Sequence, residues 1–300
     1  MSDAPHVGWR GGGVELRERV AEGPFAEVWR AETVTGEPRP VAVKFARGEL
    51  GAAMLRTEFE LSAGAARAVS PPLLAQAVYS DLPYLVRAWC PGTLRHELDA
   101  ARSPDARARL CGLTLEAFDL VARLHAQGVV HGDLKPENVL IDEAGRPRLI
   151  DFGLAQHVQR LRLDQPLAAS LDTRQAPTGG TLGYMAPELI KGDAPSLAAD
   201  VYALGVILHE VLLGRRPGTG GQADPALAAL PPGTGDVLTR ALAYAPRDRP
   251  ATARALLADL FPVSAALVAT GARRRVQGAG RLALRGLAAF VIAFRYSARP

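Results

Sequence analysis

Asp133, Lys135, Asn138 and Asp151 fall within nineteen positions of the stretch HGDLKPENVLIDEAGRPRLIDFG, residues 131–153. Two polar runs, HGDLKPEN and DFG, are separated by apolar pieces and turn residues. This density of groups fits phosphoryl transfer. A carboxylate orients a hydroxyl, a cation meets the moving phosphoryl group, and oxygen ligands hold Mg²⁺. Singly, each residue has a plainer explanation: Asp as a helix cap, Asn as a turn residue, Lys as a solvated charge. All four in register weigh against those explanations.

The two runs resemble the catalytic loop and metal-binding motif of the protein kinases, in the Ser/Thr branch. The resemblance covers roughly residues 14–262 and is to the bacterial, eukaryotic-like type. It implies that Asp133 accepts or orients the proton of the acceptor hydroxyl and that Lys135 contacts the γ-phosphate of ATP. Asn138 and Asp151 match the Mg²⁺ ligands, with Mn²⁺ as an alternative metal. Lys44, near the end of VAVKF, matches the lysine that holds the α- and β-phosphates and pairs with a helix glutamate. Glu58 fits that partner best, because Leu55 and Leu61 flank it at i−3 and i+3; Glu60 is the second choice. Thr181 in GTLGYMAPE (180–188) matches a residue that bonds the catalytic Asp and Lys. Glu188 matches the partner of Arg249 in PRDRP, a buried fork-type pair, and Asp200 matches the Asp that anchors the catalytic-loop backbone. Small-molecule kinases generally lack this later half.

Three departures stand out. The phosphate loop of the family, G-x-G-x-x-G-x-V, reads Ala21-Glu22-Gly23-Pro24-Phe25-Ala26-Glu27-Val28, so only the middle Gly remains. Pro24 offers no N–H, which leaves fewer backbone donors for phosphate, while Phe25 can still cap the site. Gly132 stands where many kinases carry the Arg that receives an activation-segment phosphate. Arg87 falls where a mid-sized apolar residue normally closes the back of the adenine pocket. Either Arg87 is buried and pairs with Glu58, in competition with Lys44, or it points to solvent. The same alignment assigns adenine to the Ala88 C=O and Cys90 N–H, with Ala21, Gly23, Phe25, Val28 and Ala42 completing the nucleotide face.

The elements that position these residues are legible in outline. Residues 14–47 alternate as strands, 48–68 read as a helix, and VYS and PYLVRAW as short strands. Leu110, Leu113, Phe118, Val121 and Leu124 recur at helical spacing, and 197–214 and 250–261 read as further helices. The expectation is an α+β, two-lobed fold. A flexible N-terminus (1–13) precedes a β-rich lobe (about 14–90) and a mainly helical lobe (about 91–262), followed by a basic, apolar tail (263–300).

Net charge is only +4, which argues weakly against a dedicated nucleic-acid binder. Residues 263–300 hold seven arginines and no acid, so the rest of the chain is mildly acidic. As a helix, 273–299 suits either an anionic membrane surface or the large lobe. The two cysteines make no disulfide framework, no apolar signal core opens the chain, and Gly286–Phe294 is too short to span a bilayer, so a reducing cytoplasm is expected, with membrane association through the tail as one of the two placements left open. The leading expectation is an ATP-dependent kinase acting on Ser/Thr of protein substrates. The alternatives are a pseudokinase that binds nucleotide or a partner without turnover, and a kinase of a small molecule or glycolipid.

Overall fold

The structure, a computed structural model, describes residues 4–157, 183–218 and 224–272, with side chains described except at 156–157 and 264–272. Thr181 and the basic tail at 273–299 lie outside the described residues. The first lobe is an antiparallel six-stranded sheet of order β1-β2-β3-β4-β6-β5. Its strands are β1 Arg10–Gly11, β2 Val14–Glu22, β3 Ala26–Thr33, β4 Pro40–Ala46, β5 Leu73–Gln76 and β6 Tyr84–Ala88; α1, Gly48–Ala63, lies between β4 and β5. Two register shifts in the β2–β3 pairing, between Leu16 and Glu18 and between Arg19 and Ala21, locally kink and twist β2.

Alternation along β4 decides what each face does. Val41, Val43 and Phe45 are buried with Val14, Leu16, Trp29 and Val86, whereas Ala42, Lys44 and Ala46 face the other way. α1 packs on that second side, where Leu55 meets Leu85 and Val78. Residues 8–11 are tied to the first sheet. The Gly8 N–H donates to Leu16 O at 2.9 Å, β1 pairs with β2, and Trp9 packs edge-on to Phe45 at 5.1 Å. Gly11 permits this, because a Cβ there would lie 2.2 Å from the Trp9 ring. Residues 78–80 form a turn and not the strand their β-rich composition predicts; Leu73–Gln76 is the strand, paired with β6.

The second lobe comprises β7 Gly92–Thr93, α2 Leu94–Ala100, α3 Pro104–Ala126, β8 Val129–Val130, β9 Val139–Ile141, β10 Pro147–Leu149, β11 Gln156–His157, α4 Pro187–Ile190, α5 Leu197–Leu213, α6 Thr234–Ala241 and α7 Ala253–Ala272. Ser103 and Ser196 cap α3 and α5 by accepting from the Ala106 and Ala199 N–H groups. Leu110, Leu113, Phe118, Val121 and Leu124 of α3 share one core with Leu204, Ile207 and Leu208 of α5 and Leu256, Leu257 and Leu260 of α7. At about 1.5–3 kcal/mol per fully buried side chain, this core is what fixes the loops laid over it. α7 runs through Pro262 to Ala272 and so continues past the boundary expected at residue 262. Among the described residues no helix is long and apolar enough to cross a membrane.

Candidate active site

Lys44 lies on the α1 side of β4, and Glu58 lies on the helix that follows. Lys44 Nζ donates to Glu58 Oε2 at 2.7 Å and to Asp151 Oδ1 at 2.9 Å. Burial disfavours the ammonium, yet the two carboxylates outweigh it and hold the Lys44 pKa above its ordinary value. Lys44 in turn holds the Asp151 carboxyl below its usual range, against burial. Asp151 sits in the left-handed region, φ 69° and ψ 57°, the one non-Gly residue with positive φ among the described residues. Phe152, fully buried beneath it, anchors this strained turn. Gly153 lets α1 come close, since a Cβ there would stand 3.1 Å from Met54.

Asp133 Oδ2 accepts from Lys135 Nζ at 2.7 Å and from Asn138 Nδ2 at 3.0 Å; Asn138 Nδ2 also donates to the Asp133 backbone oxygen at 2.8 Å. With both amide hydrogens directed at Asp133, Oδ1 is the atom Asn138 has left for a metal. Burial pushes the Asp133 carboxyl above the ordinary range, with Lys135 opposing. The loop hangs on Asp200 of α5, which is 2% exposed. Its carboxylate accepts from the His131 N–H at 2.7 Å, the Gly132 N–H at 3.0 Å and His125 Nε2 at 3.0 Å. His125 Nδ1 accepts from the Ala253 N–H at 3.0 Å, which fixes the ring proton on Nε2 and ties α7 into the same set. His131 Nε2 donates to Ile150 O at 3.1 Å, joining the loop to the residue before Asp151. Gly132 has φ 83°, and a Cβ there would stand 3.0 Å from Leu154 O. An Arg at that position meets both a backbone penalty and a steric one.

Among the residues expected to meet nucleotide, Ala21 pairs with Val28, Val28 with Lys44, and Ala42 with Arg87. In the loop between β2 and β3, the Gly23 N–H donates to Ala26 O at 2.8 Å, and Phe25 O accepts from the Arg47 N–H at 2.8 Å. The loop therefore rests on the start of α1, where a Cβ on Gly51 would be 2.2 Å from Phe25 O. Ala88 closes β6, its N–H donating to Pro72 O at 2.9 Å. Cys90 follows, half-buried; burial and then Asp142 raise its thiol to about 11. Of the two placements weighed for Arg87, the buried one is found: it is 7% exposed and lies 3.2 Å from Glu58. In the large lobe Arg249 forks onto Glu188, at 2.6 and 2.8 Å.

A family model described as the protein kinase domain matches residues 75–260. The chain belongs to the protein kinase family. It is similar to the probable serine/threonine-protein kinase pknA2 of Bifidobacterium longum, 32% identical over 219 residues, which is 69% of this chain and 27% of that protein. It is similar also to the serine/threonine-protein kinases PknL and PknB of Mycobacterium tuberculosis. PknL is 30% identical over 270 residues (83% of this chain, 65% of PknL), and PknB 29% over 276 residues (83% and 42%). The chain thus spans between about a quarter and two thirds of the length of these relatives.

The donor chemistry of the kinase site suits Mg²⁺. Among the described residues no group of three or more His, Cys, Asp or Glu gathers as a dedicated metal cage. Asn138 and Asp151 present oxygen ligands alone, and Mg²⁺ characteristically takes one or two protein oxygens with substrate phosphates and water. Sequence reasoning missed one cluster beside the site. Arg95 of α2 donates to Glu137 at 2.8 Å, to Glu210 of α5 at 3.1 Å and to the Tyr184 hydroxyl, which itself donates to Glu210. Its members are 42, 89 and 115 residues from Arg95, and no local pattern marks them.

Proposed function

We propose that this kinase transfers the γ-phosphoryl group of Mg-ATP to Ser and Thr hydroxyls of protein substrates. The observation that carries the reading is the pair of linked clusters: Lys44 held by Glu58 and Asp151, and Asp133 held by Lys135 and Asn138. Lys44 meets the phosphates of ATP. Asp151 and Asn138 hold the metal, which supplies charge neutralisation for the phosphoryl group. Asp133 orients the acceptor hydroxyl and takes its proton, and Lys135 offsets the charge developing between donor and acceptor. Thr181 supports that pair by resemblance. Two free thiols, Cys90 and Cys111, accord with a reducing cytosol.

The test incubates the purified chain with Mg²⁺ and labelled ATP, with and without a generic protein acceptor, beside Asp151→Asn. Label is expected on protein with the wild type and reduced at least about a hundredfold in the variant. Equal labelling in both sinks the assignment. The phosphate loop favours one second reading, a nucleotide-binding pseudokinase. Pro24 has no N–H, and the Gly23 N–H is already donated to Ala26 O. Saturable ATP binding without transfer by the wild type selects it.

Gly132 leaves an activation-segment phosphate without a cation at that position. Joint replacement of Ser170, Thr173 and Thr178 by Ala is therefore expected to change the transfer rate by less than about tenfold, or 1.4 kcal/mol in the barrier. A larger loss shows that the segment uses another phosphate receptor.

A further inference from the structure

Arg87 is a buried cation that the proposed chemistry does not use. Its Nη2 donates to Glu58 Oε1 at 3.2 Å and to Ser62 Oγ at 2.6 Å, and its Nη1 donates to Pro71 O at 3.3 Å. Glu58 therefore gives one oxygen to each of two cations, Oε2 to Lys44 and Oε1 to Arg87. The sheet sets this up. Lys44 pairs with Leu85 and Ala42 with Arg87, so Lys44 and Arg87 are diagonal neighbours on one face of β4 and β6. Glu58 and Ser62 are one helical turn apart on α1, both 2% exposed, and both meet that face. Lys44, Arg87, Glu58 and Asp151 together carry no net charge, which is how four ionised groups share one low-dielectric site.

The guanidinium is a planar fork and acts as a rigid spacer between strand and helix. With Lys44 alone, Glu58 Oε1 has no cation and the last turns of α1 lose their polar tie to β6. We propose that Arg87 is a positioning residue: it holds the second oxygen of Glu58 and ties two turns of α1 to β6, so that the Lys44–Glu58 pair stands assembled before nucleotide arrives. The proposal rests on the reading of Lys44 as the phosphate-binding cation. It reverses the competition expected from sequence, because the two cations take different oxygens. Dividing the charge of Glu58 also leaves Lys44 more of its own charge for phosphate.

The test uses the full chain and two readouts: affinity for a non-hydrolysable ATP analogue with Mg²⁺, and amide hydrogen exchange across α1 without nucleotide. Arg87→Met keeps the bulk and removes the fork. It is expected to weaken analogue binding about tenfold and to speed exchange at the last two turns of α1 by a similar factor. Arg87→Lys keeps a cation for Glu58 but cannot fork to Ser62 and Pro71 as well, and is expected to recover part of the lost affinity, a rescue that a merely space-filling role does not give. Unchanged affinity and exchange in Arg87→Met overturn the proposal, as does a loss of affinity that Arg87→Lys fails to recover. If Arg87→Met does not fold, Ser62→Ala reads the same tie: faster exchange at the end of α1 is expected, and unchanged exchange overturns it. A wild-type chain with no affinity for the analogue overturns the proposed function instead, and the exchange data then decide the tie alone.

Discussion

Replacing Asp133 with Ala is expected to slow phosphoryl transfer to a protein acceptor by about a thousandfold while Mg-ATP affinity stays within about twofold. The separation of effects follows from the contacts. Asp133 bonds Lys135 and Asn138, whereas Lys44 bonds both Glu58 and Asp151. Asn138 keeps its bond to the Asp133 backbone oxygen after the side chain is gone, so the placement from which it is proposed to hold the metal survives. Single-turnover labelling measures the first quantity and calorimetry with the nucleotide measures the second. Transfer within tenfold of wild type rules out the proposed role. A second expectation concerns stability. Burial raises the Asp133 pKa, so the folded chain binds a proton there more tightly than the unfolded chain. The stability associated with this group is present below the ordinary carboxylate value and is lost as pH rises through the folded value. At neutral pH the charge is a net cost, and Asp133→Asn is expected to melt no lower than wild type.

Arg249→Leu is expected to lower the stability of the folded chain by about 3–5 kcal/mol, read from urea unfolding at neutral pH. The side chain has no exposed surface, and all five of its N–H donors are used. Two go to the Glu188 carboxylate, and the others reach Ala243 O at 2.7 Å, Ala198 O at 3.0 Å and Tyr244 O at 3.0 Å. Its guanidinium also lies 4.8 Å from the centre of the Tyr202 ring. Removing it strands a buried carboxylate and three carbonyls, which costs more than the pair itself contributes. Arg249→Lys retains a charge but cannot fork, and is expected to recover less than half of the loss. Replacing Glu188 by Leu in the Arg249→Leu background is expected to be less damaging than the sum of the single changes. A loss below about 1 kcal/mol in Arg249→Leu contradicts the account.

The candidate site is legible where it is local in the chain. Asp133, Lys135, Asn138 and Asp151 declare themselves by spacing, and Glu58 by its place between Leu55 and Leu61 on a helix that follows the Lys44 strand. The rest depends on partners distant in sequence. Ser62 and Pro71 lie 25 and 16 residues from Arg87, so its burial was only one of two readings. Trp9 folds over Gly11 onto Phe45, 36 residues away in the chain, a contact that no local pattern marks. Val78-Tyr79-Ser80 has strand propensity without a sheet partner, whereas Leu73–Gln76 obtains one from β6. Pro262 removes one backbone donor, yet α7 is already anchored by Leu256, Leu257 and Leu260 and continues past it.

The left-handed backbone at Asp151 also limits how this lineage can lose its activity. An Ala, Val or Leu at that position would be held at positive φ, at about 1–2 kcal/mol, on top of the lost carboxylate. Asn tolerates the conformation and Gly adopts it freely, and neither supplies the charge that Lys44 pairs with. Descendants that keep the fold as a scaffold and abandon turnover are therefore expected to carry Asn or Gly at 151. A survey of sequence drift at that single position separates retired copies from working ones.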